Sequence, residues 1–488
     1  MPSSPAASSA TAADATADTA AGPALSSRER YSGLIWLVSA AFFMQALDST
    51  IVNTAVPAIA IALHETPLNM RSALTSYVLT LAILIPASPW LCDRFGTRRV
   101  FGAAIGVFAI GSLLCGISQT LPELVLARVL QGCGGAALMP VGRYVLVRTI
   151  DKRDFVQVMS TVATFGLLGS VLGPLLGGAL VEYTNWRLIF LLNVPVGIVG
   201  IWLNQREMPE YRLDTAHRFD LFGFLLFAAS SALLLTASEY AADQTVRWAE
   251  MGLLVLLAIA FGAAYVWHSR RTAHPVADLR LLRVRSVWVS LSGNLLTRLG
   301  VSGMFLLIVL FLQVGCGWSP LMAGLMMVPQ ALGSIVAKWF VNRMLIRLGY
   351  RRLLLGNTLI VAVLIALFAL LGPHTPMALI VLLAFVYGGF MGMQYTVMNT
   401  LVYTDLDVKH ASMASSMAST TQYLSMSFGI ALATLLMQVL LHGQSSAAYV
   451  EAFRWTVIVL AVVTAIASRV FARLQKMPPT SREVSSAT

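Results

Sequence analysis

Charge is what this sequence has least of. Of its 488 residues only 11% are Asp, Glu, Lys or Arg, against roughly 25% in a soluble domain. A deficit that large excludes a chain whose surface mostly meets water. Lysine is rarer still: Lys152, Lys338, Lys409 and Lys476 are all there are, and none follows a glycine in a GK[ST] phosphate loop. Nucleotide binding of that kind is excluded. The four cysteines, Cys92, Cys115, Cys133 and Cys316, form no CxxC pair, and the seven histidines have no metal-ligand spacing. Neither a disulfide framework nor a zinc site follows, so no metal and no cofactor is expected. Residues 1–30 are rich in Ala, Ser and Thr and lack a basic stretch followed by an apolar core. They read as a disordered cytoplasmic tail and not as a signal peptide.

Apolar residues fill the space that charge leaves: 57% of the chain is hydrophobic. Runs of about 20 such residues, enough to cross a bilayer core of about 30 Å, recur from Leu34 to Phe471. Backbone groups in lipid must be satisfied internally, so each run is expected to be a helix. Spans are predicted at 33–57, 74–92, 100–119, 123–147, 155–181, 187–204, 220–240, 249–268, 287–314, 321–341, 353–372, 377–402, 411–441 and 453–473.

The net charge of +11 belongs to topology, not to nucleic acid. With the N-terminus in the cytoplasm, 25 basic residues fall on the cytoplasmic side and four (Arg71, Arg187, Arg247, Arg454) on the other. Arg128, Arg143, Arg298 and Lys338 are embedded. The positive-inside rule then places both termini in the cytoplasm of a plasma-membrane protein.

The loop after span 2 reads RFGTRR (Arg94 to Arg99), and the loop after span 10 reads RLGYRR (Arg347 to Arg352). Matched loops at matched depth suggest two related six-span halves with spans 7 and 8 inserted between them. Such duplicated bundles carry a midplane substrate site in transporters. The expected organisation is a tail to residue 30, bundles at 31–205 and 271–475 flanking a two-helix insertion at 206–270, and a tail at 476–488.

Five segments carry a resemblance. They are LDSTIVNTAVP (Leu47 to Pro57), DRFGTRR (Asp93 to Arg99), ARVLQGCGGAALMP (Ala127 to Pro140), GSVLGPLLGG (Gly169 to Gly178) and WRLIFLLNVPVG (Trp186 to Gly197). In this order, over residues 34–472, the chain resembles the major facilitator superfamily, specifically its fourteen-span drug:proton antiporters. The resemblance implies an all-α integral membrane protein of the major facilitator fold and a non-enzymatic, monomeric exporter. Its partners would be small molecules, protons and lipid. Two departures stand out: Pro89 replaces the glycine that opens the loop motif, and Ile346 stands where the second half would match Asp93.

An ionisable residue inside a span is costly and points to function. At 1.5 Å per residue Asp48 lies about 22 Å above the inner face, and Arg128 lies about 8 Å below the outer one. In a core of about 30 Å the two are level and could pair. Burial and an adjacent guanidinium act on a carboxylate's proton affinity in opposite directions. A separation that changes between conformations would therefore couple protons to transport. The alternative is a static pair that fixes helix register.

Gly169, Gly173 and Gly177 share one helix face and allow close approach, and Pro174 permits a bend. By the resemblance they form an antiporter seal. Asp93, Arg94, Gly96, Arg98 and Arg99 are expected to form a charged cytoplasmic gate, beyond their share in topology. Gln45, Asn53, Asn294, Arg298, Gln394 and Tyr395 are the cavity candidates, with Arg298 about 16 Å into span 9. Arg143 and Lys338 are expected to snorkel. Drug antiport, export of a metabolite such as an organic acid or a metal chelate, and a channel or sensor are the competing functions. The last lacks filter loops and a soluble output domain.

Overall fold

The computed structural model describes residues 31–212, 219–240, 248–273, 275–406, 411–441 and 445–474. The tails expected at 1–30 and 476–488 lie outside them. Among the described residues the chain is helical, with no strand. Thirteen helices are long and apolar enough to cross a membrane.

One of the thirteen, Pro320–Leu370, has 51 residues and would be about 76 Å long if straight, more than twice a bilayer core. It breaks at Gly349, whose φ of 69° and ψ of 164° are not helical. Counted as spans 10 and 11, it brings the total to fourteen crossings. Gly96, in the matching loop, has the same kind of backbone, with φ 92° and ψ 148°. A positive φ is cheap only for glycine, so the two loops of the sequence repeat share a conformation as well as a motif.

Span 1 runs Ser32–Ala62, five residues past its expected end at Pro57. A proline inside a helix removes one backbone hydrogen bond without ending it. Pro140 and Pro174 likewise sit inside spans 4 (Leu121–Thr149) and 5 (Gln157–Tyr183). Span 2 (Arg71–Phe95) narrows to a 3-10 turn at Ile85–Ala87 before resuming at Ser88. Pro89 sits in the first turn of that last segment, exposed, where its missing N–H costs little.

The first half is spans 1 to 6, including span 3 (Thr97–Ile117) and span 6 (Leu188–Glu207). The second is span 9 (Arg285–Gly315), spans 10 and 11, span 12 (Met377–Leu401), span 13 (Met413–Leu440) and span 14 (Ser446–Ala472). Spans 7 (Leu221–Ser238) and 8 (Ala249–Arg271) pack on each other, tied by His268 Nε2 to Asp220 Oδ1 at 2.7 Å. Leu235 of span 7 meets Leu79 and Ala431, so the insertion covers the seam between spans 2 and 13.

The face where span 1 begins and the RFGTRR loop lies is here called the basic face; the other is the far face. Hydrogen bonds between the halves concentrate toward the far face. Arg71 Nη1 donates to Gln438 Oε1 at 2.8 Å, Gln313 Nε2 to the Thr54 carbonyl at 2.9 Å, and the Leu321 amide to Glu182 Oε2 at 3.0 Å. Deeper in, Ser427 Oγ donates to the Thr75 carbonyl at 3.2 Å. Nearer the basic face, Tyr423 reaches Met139 Sδ at 3.8 Å.

Candidate functional site

Among the described residues Asp48 is the one acidic residue in the middle of a span. Its side chain is wholly buried in the first half and does not face lipid. Arg128 Nη1 donates to Asp48 Oδ2 at 2.8 Å, so the pair that the depths allowed is present. Gln131 Nε2 donates to Oδ1 at 2.8 Å and Asn193 Nδ2 to the same oxygen at 3.1 Å. Both amides also donate to Ser112 Oγ, at 2.6 and 3.3 Å. Arg128 further donates to Gln131 Oε1 at 2.5 Å and to the Ala73 carbonyl at 3.4 Å, and its guanidinium lies 4.0 Å over the Tyr77 ring. Spans 1, 2, 3, 4 and 6 thus each contribute to one polar knot inside apolar walls.

Hydrogen bonds to a charged group are worth about 1.5–3 kcal/mol each. Removing one partner of a buried pair costs about 3–5 kcal/mol, because the other charge is stranded. The knot therefore fixes the five helices relative to one another, and its stability depends on Asp48 keeping its partners. The Tyr77 hydroxyl, buried beside it, has no hydrogen-bond partner among the described residues. Gln131, Asn193 and Ser112 were not singled out from sequence. Gln131 lies three residues from Arg128, one helical turn on, which was a usable signal.

The cavity candidates divide. Arg298 keeps 7% exposure, donates through Nε to Asn294 Oδ1 at 2.6 Å, and lies 3.9 Å over the Tyr395 ring. These three come together. Gln45 is 3% exposed with its Oε1 unpaired. Asn53 turns back on its own helix, donating to the Ser49 and Thr50 carbonyls at 3.2 and 3.3 Å. Gln394 is wholly buried between spans 11 and 12, accepting from Asn357 Nδ2 at 2.7 Å and donating to Thr358 Oγ1 at 2.8 Å. Its polar atoms are engaged there and not presented to a cavity.

The gate candidates also differ from their expected arrangement. Asp93 accepts from the Tyr144 hydroxyl of span 4 at 3.3 Å. Arg98 Nε donates to the Met208 carbonyl at 2.6 Å, and Thr97 exchanges hydrogen bonds with Pro209 and Tyr211. The loop motif is therefore stitched to the segment that leaves span 6. Arg94 and Arg99 are exposed. Gly169, Gly173 and Gly177 face span 1: a Cβ on Gly169 would stand 2.5 Å from the Phe43 carbonyl, and one on Gly177 2.5 Å from that of Ile51. Contact with the other half falls to Gly178, 2.5 Å from the Pro320 carbonyl by the same measure, and to Pro174, whose carbonyl meets Gly324. Arg143 is exposed, its guanidinium 5.6 Å from the Phe42 ring.

The sequence profile of the Major Facilitator Superfamily matches residues 38–430 and 290–488. The chain is 40% identical over 451 residues to the multidrug resistance protein MdtD of Serratia proteamaculans, covering 92% of this chain and 94% of that one. It is 42% identical over 451 residues to MdtD of Salmonella typhi, covering 90% and 94%. Among solved structures it is similar to an auto-inhibited POT family peptide transporter (TM-score 0.67, 17% identity, 93% of this chain and 98% of that one). It is also similar to a D-xylose-proton symporter (TM-score 0.64, 13% identity, 91% and 97%). Fourteen apolar crossings, two matched halves and relatives of nearly equal length describe a multi-pass membrane transporter and not an enzyme. The chain belongs to the major facilitator superfamily.

Proposed function

We propose that this transporter exports small organic molecules in exchange for protons, by alternating access, with Asp48 as the proton-carrying group and both termini in the cytoplasm. One observation carries the reading. Among the described residues the only mid-span carboxylate is fully buried and held by one guanidinium and two amides from two other helices, spans 4 and 6. A buried carboxylate so dependent on its partners senses any helix movement. Movement of those partners changes the balance between its charged and neutral forms. A carrier needs that difference between its two states.

The seal at the far face supports the same reading. With the basic face in the cytoplasm, the described conformation is closed to the outside by Arg71–Gln438, Gln313–Thr54 and Glu182–Leu321. Asp93, Arg94, Gly96, Arg98 and Arg99 would then close the cytoplasmic side in the opposite state, and the span 5 stripe with Pro174 would bend between the two. The similarity to proteins named for multidrug resistance supports export of small organic molecules.

The test is uptake into inverted vesicles with an imposed inside-acid gradient. Substrate accumulation that follows the gradient supports the reading; accumulation indifferent to it, with the protein intact, contradicts it. A potential of about 150 mV supplies about 3.5 kcal/mol per charge, so one proton would sustain a gradient of a few hundredfold in a neutral substrate.

A further inference from the structure

We propose that Arg298 binds an anionic group of the transported molecule, so that the substrate is an organic anion bearing a carboxylate, sulfonate or similar oxyanion. This rests on the exporter reading above and specifies what that exporter carries.

The inference starts from the balance of embedded charge. Among the described residues Asp48 is the only acidic one in the middle of a span, and it is committed to Arg128. Once that pair is set aside, the embedded charges left are Arg143, Arg298 and Lys338, all positive. Among the described residues no second mid-span carboxylate stands ready to pair with an organic cation.

Arg298 is the deepest of the three and the most organised. A guanidinium has five N–H donors in a planar fork. Here Nε is taken by Asn294 Oδ1 at 2.6 Å, which fixes the plane. Tyr395 stacks beneath at 3.9 Å. No described residue accepts from the two terminal nitrogens, although the residue is more than nine-tenths buried. The titratable groups nearest to it on the packed helices are the phenols of Tyr395 and Tyr423, neither of them a carboxylate. The free edge of the fork is the edge that takes an oxyanion bidentately.

The position suits a substrate. An arginine side chain leans toward the N-terminus of its helix, which for span 9 is the basic face, away from the far-face seal. Tyr423 of span 13 lies within electrostatic reach of both Arg298 and Arg143 and also touches Met139. Arg143 and Met139 belong to the first half, Arg298 and Tyr423 to the second. The cationic groups thus converge where the two halves meet, and the apolar body of a ligand would rest against Tyr395, Tyr423 and Met139.

An energetic consequence separates this substrate class from others. Export of a monoanion against entry of one proton moves two charges across the membrane in the same electrical sense, and both are driven by an inside-negative potential. Export of a monocation against one proton moves no net charge.

The experiment uses the full-length protein in inverted vesicles with an inside-acid gradient. The probes are phthalate and benzenesulfonate as anions, benzenesulfonamide as the neutral counterpart and phenyltrimethylammonium as the cation. Saturable anion uptake is expected in the wild type. It should fall roughly tenfold or more in Arg298→Gln, as loss of charge-assisted hydrogen bonds implies, and survive in part in Arg298→Lys. The sulfonamide and the cation should not compete. Anion uptake equal in wild type and Arg298→Gln, whether high or at the level of empty vesicles, overturns the proposal, as does competition by the cation. Should Arg298→Gln not fold, Tyr395→Leu keeps the charge and removes its stacking face, and a raised KM for the anions is the expected result. An unchanged KM counts against the site. Failure of the two readings can be told apart. If the gradient drives the cation and Asp48→Asn stops it, the exporter stands and the anion site falls. If anion uptake depends on Arg298 but not on the gradient, the site stands and proton exchange falls.

Discussion

At the scale of single residues, the proposed proton coupling rests on one carboxylate whose partners come from other helices. Arg128 uses Nη1 twice, uses Nε once and stacks on Tyr77. A lysine has no planar fork to reproduce this. Arg128→Lys should therefore keep the charge yet lower gradient-driven transport roughly tenfold or more, read as initial rates in vesicles. Gln131→Leu leaves Ser112 and Asp48 each short of a donor and should destabilise the protein by about 1–3 kcal/mol, seen as a lower melting temperature in detergent. Asp48 and Arg128 were legible in the sequence because an ionised side chain in an apolar run has few innocent explanations. Gln131, Ser112 and Asn193 were not. An amide or hydroxyl in a span is common, and the helical period shows which residues share a face but not which neighbour that face meets. The same limit explains Gln394, expected in a cavity and found between Asn357 and Thr358.

At the scale of helices and loops, glycine settles two questions. Gly96 and Gly349 hold positive φ at the matching turns of the two halves. Gly96→Ala and Gly349→Ala should each cost about 1–3 kcal/mol, measurable by thermal unfolding, because an L side chain is strained in that extended positive-φ region. The repeat was readable as six similar residues; that both loops share a backbone was not, since composition alone does not set ψ. The span 5 glycines pack closely, and the helix they meet is span 1 of the same half. Gly178, one residue beyond the stripe, meets span 10, and Gly178→Ala would press a methyl toward the Pro320 carbonyl and the Leu321 Cα. That wedge should loosen the far-face seal. Spin labels placed on spans 5 and 10 should report a longer separation in the variant than in the wild type.

At the scale of the molecule, apolar length and the placement of arginine made the membrane class and the fourteen crossings legible, because lipid leaves a backbone few options. The conformation was not legible. Which face is sealed is a balance among contacts such as Arg71–Gln438 and Glu182–Leu321, and these pair residues far apart in sequence. A reducible bifunctional thiol cross-linker joining Arg71→Cys to Gln438→Cys across the gap left by the two long side chains should lock the described state and halt transport until it is reduced. The central claim is that Asp48 carries the proton while other groups hold the substrate. The most direct test compares two activities of Asp48→Asn in the same vesicles: exchange of labelled for unlabelled substrate without a gradient, and accumulation driven by a pH gradient. The account expects exchange to continue and accumulation to vanish. Gradient-driven accumulation at the wild-type rate would contradict it.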